Sequence, residues 1–491
     1  MKILFVYPEY PNTFWSFKYA LKFISKNATY PPLGLLTVAA MVPGEWEKKL
    51  VDLNVSRLTD RDLEWADYVF ISAMSIQEKS VRDIVGRCRA AGVKTVAGGP
   101  LFTSDYERFP EVDYLVLNEA ENTLPAFLKD LEKGEPKRIY TSNEWADMEK
   151  TPQPAWDLIR LYDYACMNLQ YSRGCPFNCE FCDIVTLYGR TPRTKTREQV
   201  LSELEALYSH GWRGGVFFVD DNFIGNKRKL KEKILPAVSS WMKDRGYPFS
   251  FTTEASVNLA DDEELMDAMV DAGFTNVFLG IESPNEESLE ECGKVQNTGR
   301  DLVACIRKIQ SRGMLVHGGF IVGFDNDSPT VFERLIQFIQ DSGIIVAMVG
   351  LLNAPKGTRL YQRMIRENRL LKDMSGDNTD YSMNFIPKMD YPILLKGYQQ
   401  IVSAIYSPKA YYQRVKDFLK QYTPRHKMAF KFQMGYVTAF FKSIILLGTI
   451  GKERVPFWKL FFWSLFRRPG LFPMAITYAI YGFHFRKIFQ K

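Results

Sequence analysis

The chain has 491 residues, 46% of them hydrophobic and 14% aromatic, and a formal net charge of +6; this composition allows packed cores in two or three domains and excludes general disorder. Seven cysteines show no paired spacing, so no disulfide framework is expected and a reducing cytoplasm fits. The apolar run Lys2–Tyr7 ahead of Pro8 is too short for a secretory signal and is expected to be a strand.

Residues 1–130 alternate strand and helix. Strands are expected at Lys2–Tyr7, Lys49–Leu53, Tyr68–Ala73, Lys94–Ala97 and Tyr114–Leu117, with helices at Leu33–Met41 and Val81–Ala91. This alternation predicts a Rossmann-like, doubly wound parallel sheet in an α/β domain over residues 1–150. Ligands bind such sheets beyond the carboxyl ends of the strands. The loops there run Ser72-Ala73-Met74-Ser75-Ile76-Gln77, Gly98-Gly99-Pro100 and Asn118-Glu119-Ala120-Glu121. Glycines and small residues let a large ligand approach the backbone, although they also serve plain turns. No G-x-G-x-x-G follows the first strand, which disfavours a dinucleotide.

Thr151-Pro152-Gln153-Pro154 reads as an extended linker, and a second βα series fills 151–385. It opens with Tyr171-Ser172-Arg173-Gly174-Cys175, and Cys179 and Cys182 follow. This C-x3-C-x2-C spacing lets three thiolates hold three irons of a [4Fe–4S] cube, leaving the fourth iron open. Electron-transfer ferredoxins ligate all four irons, and a zinc site needs a fourth nearby ligand; zinc, or three cysteines close by chance, are the alternatives. Later apolar strands end in polar residues: Asp220, Asp221 and Asn222; Glu254 and Ser256; Glu282; Asp325; and the stretch Leu351–Thr358. With a strand near Met167–Tyr171 these make six βα units. A partial (β/α)6 barrel is expected, with chemistry at the carboxyl ends. A lone acid at a strand end usually caps a helix, whereas several in register with one cysteine loop indicate a site. His317 reads as a packed, hydrogen-bonded histidine, and Cys292 and Cys305 as structural.

Residues 386–491 form a helical extension. From Lys409 onward there are sixteen Lys and Arg against Asp417 and Glu453, a net +14, so the first 408 residues carry −8. Phe, Trp and Leu accompany these cations, but no uninterrupted apolar run reaches the roughly 18 residues of a bilayer span. The pattern predicts in-plane helices at an anionic membrane surface, where each cation contributes about 1 kcal/mol. A packed helical cap with a basic face is the alternative; a partner protein or nucleic acid fits the aromatic content less well.

The cysteine loop resembles the signature of the radical S-adenosylmethionine superfamily. The helix start Pro31-Pro32-Leu33-Gly34-Leu35, the Gly98-Gly99-Pro100 turn and the Asn118–Glu121 run, all ahead of that loop, resemble the cobalamin-dependent enzymes of that superfamily over roughly the first 385 residues. Phe14-Trp15-Ser16-Phe17, the stretch Pro31–Ala40 and Ser72–Gln77 extend the likeness, tail included, to the hopanoid-methylating members. The resemblance implies a [4Fe–4S] cluster on Cys175, Cys179 and Cys182. It places S-adenosylmethionine against Phe181, Asp220, Asp221, Asn222, Glu254, Ser256 and Glu282. Cobalamin falls against Leu33, Gly34, Ser72, Ala73, Met74, Ser75, Gln77, Gly98, Gly99, Pro100, Asn118 and Glu119. No catalytic residue is assigned.

The sequence departs from many cobalamin proteins, which give cobalt a histidine through D-x-H-x-x-G. The four histidines, His210, His317, His426 and His484, all lie outside the first domain, so the 72–77 loop is the expected neighbour below the corrin. The implied reaction is radical methyl transfer from methylcobalamin to an unactivated carbon of a lipid, after hydrogen abstraction by a 5′-deoxyadenosyl radical. A reductase, flavodoxin or ferredoxin supplies the electron. The implied location is cytoplasmic, peripheral on the inner face of the cytoplasmic membrane through 409–491, with no nucleic acid. Cyclisation, rearrangement or dehydrogenation with the same cofactors, and a non-catalytic membrane-attached cobalamin or redox sensor, are the alternatives.

Overall fold

Strands that are buried on both faces read as unbroken Val, Ile, Leu and Phe runs, and here such runs form two parallel sheets. In the computed structural model, which describes residues 1–377, 379–425 and 434–489, the first sheet comprises β1 (Lys2–Tyr7), β2 (Glu47–Asp52), β3 (Tyr68–Ser72), β4 (Lys94–Gly98), β5 (Tyr114–Val116) and β6 (Ile139–Tyr140). Its order is β2-β1-β3-β4-β5-β6, all parallel. The order reverses between β1 and β3, so the topological switch that attracts ligands lies at their carboxyl ends. Apolar cores cover both faces. The edge strand β6 is two residues long, too short to leave a sequence pattern.

The second sheet follows. It contains β7 (Cys166–Leu169), after which β8 (Ser172–Arg173) and β9 (Arg193–Thr194) form a short antiparallel pair. The sheet continues through β10 (Gly215–Phe218), β11 (Ser250–Ala255), β12 (Phe274–Glu282), β13 (Leu315–Val322) and β14 (Ala347–Leu351) in the order β14-β13-β12-β11-β10-β7. These are the six expected units. β14 and β7 are the two edges, so the barrel is open. Side chains alternate along each strand: Val216 and Phe218, Val277 and Leu279, and Val316 are buried outward against helices, leaving Phe217, Phe278 and His317 for the lumen. Polar strand ends start later than the pattern suggests, because the ladder stops at Phe218 and Asp220–Asn222 belong to the following loop.

A strap from the first domain and the carboxyl-terminal helix close the open side. Phe14 stacks on Phe485 at 4.3 Å, Phe17 meets Tyr481 at 5.0 Å, and Trp15 reaches across to Phe278 at 5.4 Å. His484 Nε2 lies 2.9 Å from the Phe14 carbonyl oxygen. Lys442 Nζ donates to the Lys22 carbonyl at 2.6 Å. One continuous core therefore joins strap, barrel and tail.

This corrects the expectation that the tail helices lie as a group at a membrane surface. The Phe472–Phe489 helix is buried along Ala475, Ala479, Gly482, Phe485 and Ile488, and a helix apolar all round is one that is enclosed. Several tail cations are committed inside the protein. Arg486 pairs with Glu453 at 2.7 Å, and Arg468 donates to the Lys420 carbonyl at 2.7 Å. No helix among the described residues is long and apolar enough to cross a membrane. Lys427 and Lys431 of the basic stretch, and His426, lie outside the described residues.

The tail's packing is testable at Gly482, where an added Cβ runs into the Tyr411 ring. Gly482→Ala is expected to destabilise the protein by about 1–3 kcal/mol through overpacking, read as a lower thermal midpoint; an unchanged midpoint would detach the helix from the core.

Candidate functional site

The cysteine loop is built by the chain on both sides of it. β8 and β9 pair and make residues 174–192 one long hairpin loop. Gly174 takes φ 91°, and a Cβ there would lie 3.0 Å from the carbonyl oxygens of Gly189 and Thr191, so only glycine fits. Asp221 accepts from the Gly174 N–H at 2.8 Å. Asp220 accepts from the Tyr171 N–H at 3.2 Å, from the Ser172 hydroxyl at 2.6 Å, and from the Ser172 N–H. Arg173 donates to Glu119 at 2.9 Å and Glu121 at 2.8 Å, and Arg193 donates to Glu119 at 2.9 Å. Farther along, Glu180 takes a two-point bond from Arg363, at 2.9 and 3.0 Å.

Within that frame Cys179 is buried and Cys175 and Cys182 are half-buried. Asn222 Nδ2 is 3.8 Å from Cys175 Sγ and Gln296 Nε2 is 3.9 Å from Cys179 Sγ. Among the described residues, no three metal-ligating side chains converge on a single-ion centre. Cysteines that would each take a different iron of a four-iron cluster need not converge on one point. Lys294 Nζ bonds Glu282 at 2.6 Å. Burial opposes the Lys294 charge, but Glu282, Cys179 and Cys182 together raise its pKa above the ordinary value. Burial pushes the Cys175 and Cys182 thiols up, so binding iron there releases protons. The thiols, two weak N–H···S donors and a nearby cation suit an anionic cluster.

Several expected ligand contacts are reassigned by these bonds. Asp220 and Asp221 hold the loop backbone, and burial pushes their pKa values up to about 7 and about 6. Glu119 is likewise engaged by Arg173, Arg193 and the Ala146 N–H, the last at 2.8 Å. Gln77 is buried, bonding the Pro8 carbonyl at 2.6 Å and the Met74 N–H at 3.0 Å, which makes it a brace of the 72–77 loop. In each case a strand-end polar group serves the loop that carries the site. Asp325, grouped with the strand ends, pairs with Arg369 and Arg363; although burial raises its pKa, those guanidinium groups bring it down to about 2.

Other strand-end positions lie along the barrel rim. Phe181 lies between the last two cysteines, 6.2 Å from Phe324. Asn222 bonds Ser256 Oγ at 3.3 Å, and that hydroxyl donates to Asn258 at 2.6 Å. Glu282 adopts a left-handed φ of 66° beside a register shift in the ladder, a strained backbone of the kind found at functional sites. Sequence reasoning missed Arg173, Lys294 and Gln296. Arg173 carried a usable signal, a cation inside the cysteine motif with an acidic pair ahead of it in the chain.

At the carboxyl edge of the first sheet a cavity is lined by Leu35, Val38, Ser72, Gly98, Gly99 and Asn118. Pro100 starts the helix behind Gly99, and Ala73, Met74 and Ser75 continue the rim. A Cβ on Gly98 would lie 2.6 Å from the Val116 carbonyl oxygen, and one on Gly99, with φ 89°, 2.7 Å from Ser72 Oγ. These two glycines are therefore required by neighbouring backbone. Gly34, beside Leu33, differs: nothing lies within 4 Å of its Cβ position, so its smallness leaves room for something outside the chain. The cavity itself is small and sits over the carboxyl ends of β3, β4 and β5, and the exposed Gly34 leaves the ground next to it open.

Between the two rims lies the barrel lumen. Tyr30 stands 5.4 Å from Phe217 and Trp15 the same distance from Phe278. The Tyr30 phenol is raised by burial, with Cys166, Tyr481 and Glu254 adding. Glu254 accepts no hydrogen bond among the described residues; burial, with Asp221 and Asp220 adding, pushes it up to about 8. His317 also lacks the expected hydrogen bond, and burial pushes it down to about 4. Burial therefore works against charge on both groups, which stand among aromatic rings.

Three stretches of the chain match known family models. Residues 24–128 match the model of the B12 binding domain, 169–339 that of the radical SAM superfamily, and 358–491 a domain of unknown function (DUF4070). An uncharacterized methyltransferase of Synechocystis sp. is 42% identical over 99% of this chain and 91% of its own. The hopanoid C-2 methylase of Rhodopseudomonas palustris is 35% identical over 93% of this chain and 88% of its own. Among solved structures, the cobalamin-dependent S-adenosylmethionine radical enzyme OxsB with aqua-cobalamin bound aligns with 100% of this chain and 79% of its own at TM-score 0.63 and 16% identity. The radical S-adenosylmethionine methyltransferase TsrM from Kitasatospora setae aligns with 74% and 76% at TM-score 0.59 and 15% identity. These two likenesses show the fold.

Arg173→Ala leaves Glu121 buried without its guanidinium partner and Glu119 with Arg193 alone, which is expected to cost about 3–5 kcal/mol and to lower iron content per chain; full iron loading at unchanged stability would contradict the role given to this residue. Gly34→Phe is expected to lower cobalamin retained through purification without moving the thermal midpoint, whereas Gly99→Val should lower both. Normal cobalamin content in Gly34→Phe would count against the placement of the cofactor.

Proposed function

The chain belongs to the cobalamin-dependent radical S-adenosylmethionine enzymes and is a methyltransferase of that family, and on that premise we propose that it methylates an unactivated carbon of a hopanoid-like lipid. The observation that supports this substrate class is the lumen, where Trp15, Tyr30, Phe217 and Phe278 present aromatic surface and burial disfavours charge on Glu254 and His317. A polycyclic hydrocarbon gains from burial against such a wall at about 25 cal/mol per Å². Likeness to the hopanoid C-2 methylase along nearly the whole chain, tail included, supports the same class.

When bound, the cluster and S-adenosylmethionine supply hydrogen abstraction, and cobalamin supplies the methyl group. The chain's own residues do the rest. Cys175, Cys179 and Cys182 hold the cluster, with Asn222 and Gln296 placed to bond the cysteine sulfurs. Phe181, Ser256 and Glu282 bound the place for S-adenosylmethionine, and Leu33, Gly34, Ser72, Gly98 and Asn118 that for cobalamin. Strap and tail exclude water from the lumen, which radical chemistry requires. A flavodoxin, ferredoxin or reductase delivers the electron. The protein works at the inner face of the cytoplasmic membrane, where its substrate is.

Extracted lipids from a host with and without this gene test the substrate. One lipid class heavier by a single methyl group is the expected result. A product of altered structure and unchanged carbon count would point to rearrangement or cyclisation, and an unchanged lipid profile alongside a methylated water-soluble compound would overturn the lipid assignment.

A further inference from the structure

The outer surface of the tail has no role in its packing. The helical turn Ile444–Ile450 and the helix Arg454–Arg467 meet at an elbow, fixed by a Trp458 Nε1–H bond to the Gly448 carbonyl at 2.9 Å. Leu447, Phe457 and Leu460 point inward and are buried. Phe441, Ile445, Val455 and Phe462 point out, with Ile450 and Phe466 the most exposed at 72% and 76%. Val455, Lys459, Phe462 and Phe466 recur at intervals of three and four and share one stripe of the helix. Between the two elements runs an open groove of about 490 Å³, lined by Gly448, Val455, Trp458 and Phe462, with Arg454 and Lys459 at its edge.

The charge around this apolar face is of one sign. Lys452, Arg454, Lys459 and Arg467 are exposed. The one acid between residues 441 and 468 is Glu453, which is buried on Arg486 at 2.7 Å. A contiguous exposed apolar patch of this kind marks an interaction surface. Long apolar side chains ringed by unopposed cations complement acyl chains beneath anionic headgroups. A protein partner of matched shape would need acids opposite each cation, whereas a bilayer supplies phosphates anywhere.

We propose that this elbow, and not the basic tail as a whole, docks the protein on an anionic lipid bilayer. Ile450, Phe462 and Phe466 enter the acyl region, and Lys452, Arg454 and Lys459 meet headgroup phosphates. The assignment rests on the lipid-substrate reading above. The Arg454–Arg467 helix packs on the Phe472–Phe489 helix, whose Tyr481 meets Phe17 of the strap at 5.0 Å, so one extension carries both the docking face and the partner of the strap.

The test uses the full-length protein carrying its cluster and cobalamin, sedimented with vesicles of phosphatidylcholine alone or mixed with phosphatidylglycerol. Binding to the mixed vesicles, weakened by salt, is expected for the unaltered protein. Phe462→Glu/Phe466→Glu and, separately, Lys459→Glu are each expected to weaken it roughly tenfold or more. Their thermal midpoints and iron content should stay unchanged, because these side chains are exposed. If the unaltered protein binds and the variants bind equally well, the elbow is the wrong surface, while the lipid substrate stands or falls on the lipid profile. Absence of binding by the unaltered protein overturns membrane docking altogether. A dimer that the double substitution splits, without any vesicle binding, would assign the face to a second copy of the chain.

Discussion

The structure depends on one buried ionic joint. Arg173, two residues before the first cluster cysteine, is held by Glu119 and Glu121 from the end of β5, and Arg193 closes the set from β9. Guanidinium–carboxylate pairs fix orientation as well as distance. They tie the cysteine hairpin to the carboxyl edge of the first sheet, where the cavity beside Gly34 opens. Methyl transfer between two bound cofactors and one substrate would need the two binding rims in a fixed relation. Burial makes each partner costly to lose, which favours one docking geometry over looser alternatives.

A second constraint is the seal. An open six-stranded barrel would admit water along the gap between β14 and β7. Here Phe14, Trp15 and Phe17 of the strap interleave with Tyr481, His484 and Phe485 of the last helix. Chain segments almost 470 residues apart in sequence thereby complete the lumen wall. The carboxyl-terminal extension is thus part of the reaction chamber, and its outward elbow is a separate surface.

The cysteine motif, the βα alternation and the six barrel strands were legible because their signals are local: a spacing, a run, a repeat. The jobs of individual polar residues were not. Asp220, Asp221, Glu119 and Gln77 stand at strand ends, as ligands do, yet each satisfies backbone or guanidinium donors of the loops beside it. A carboxylate after a strand looks the same in sequence whether it faces a ligand or a neighbouring N–H. Gly98 and Gly99 line the cavity and are also required by the carbonyl of Val116 and the hydroxyl of Ser72, a second reason for glycine that the sequence does not display. The tail misled for a different reason. Phe472–Phe489 is apolar on every side, the mark of an enclosed helix, but its flanking cations suggested an interface; Arg486, with its partner Glu453 on the preceding helix, shows that such cations can be internal.

The most direct measurement is electron paramagnetic resonance of the anaerobically reconstituted, reduced protein before and after addition of S-adenosylmethionine. A four-iron signal that changes when the sulfonium compound is added is expected, because three cysteines leave one iron free to bind it. A signal indifferent to S-adenosylmethionine, or no four-iron centre at all, would contradict the assignment of the Cys175–Cys182 loop and every function drawn from it.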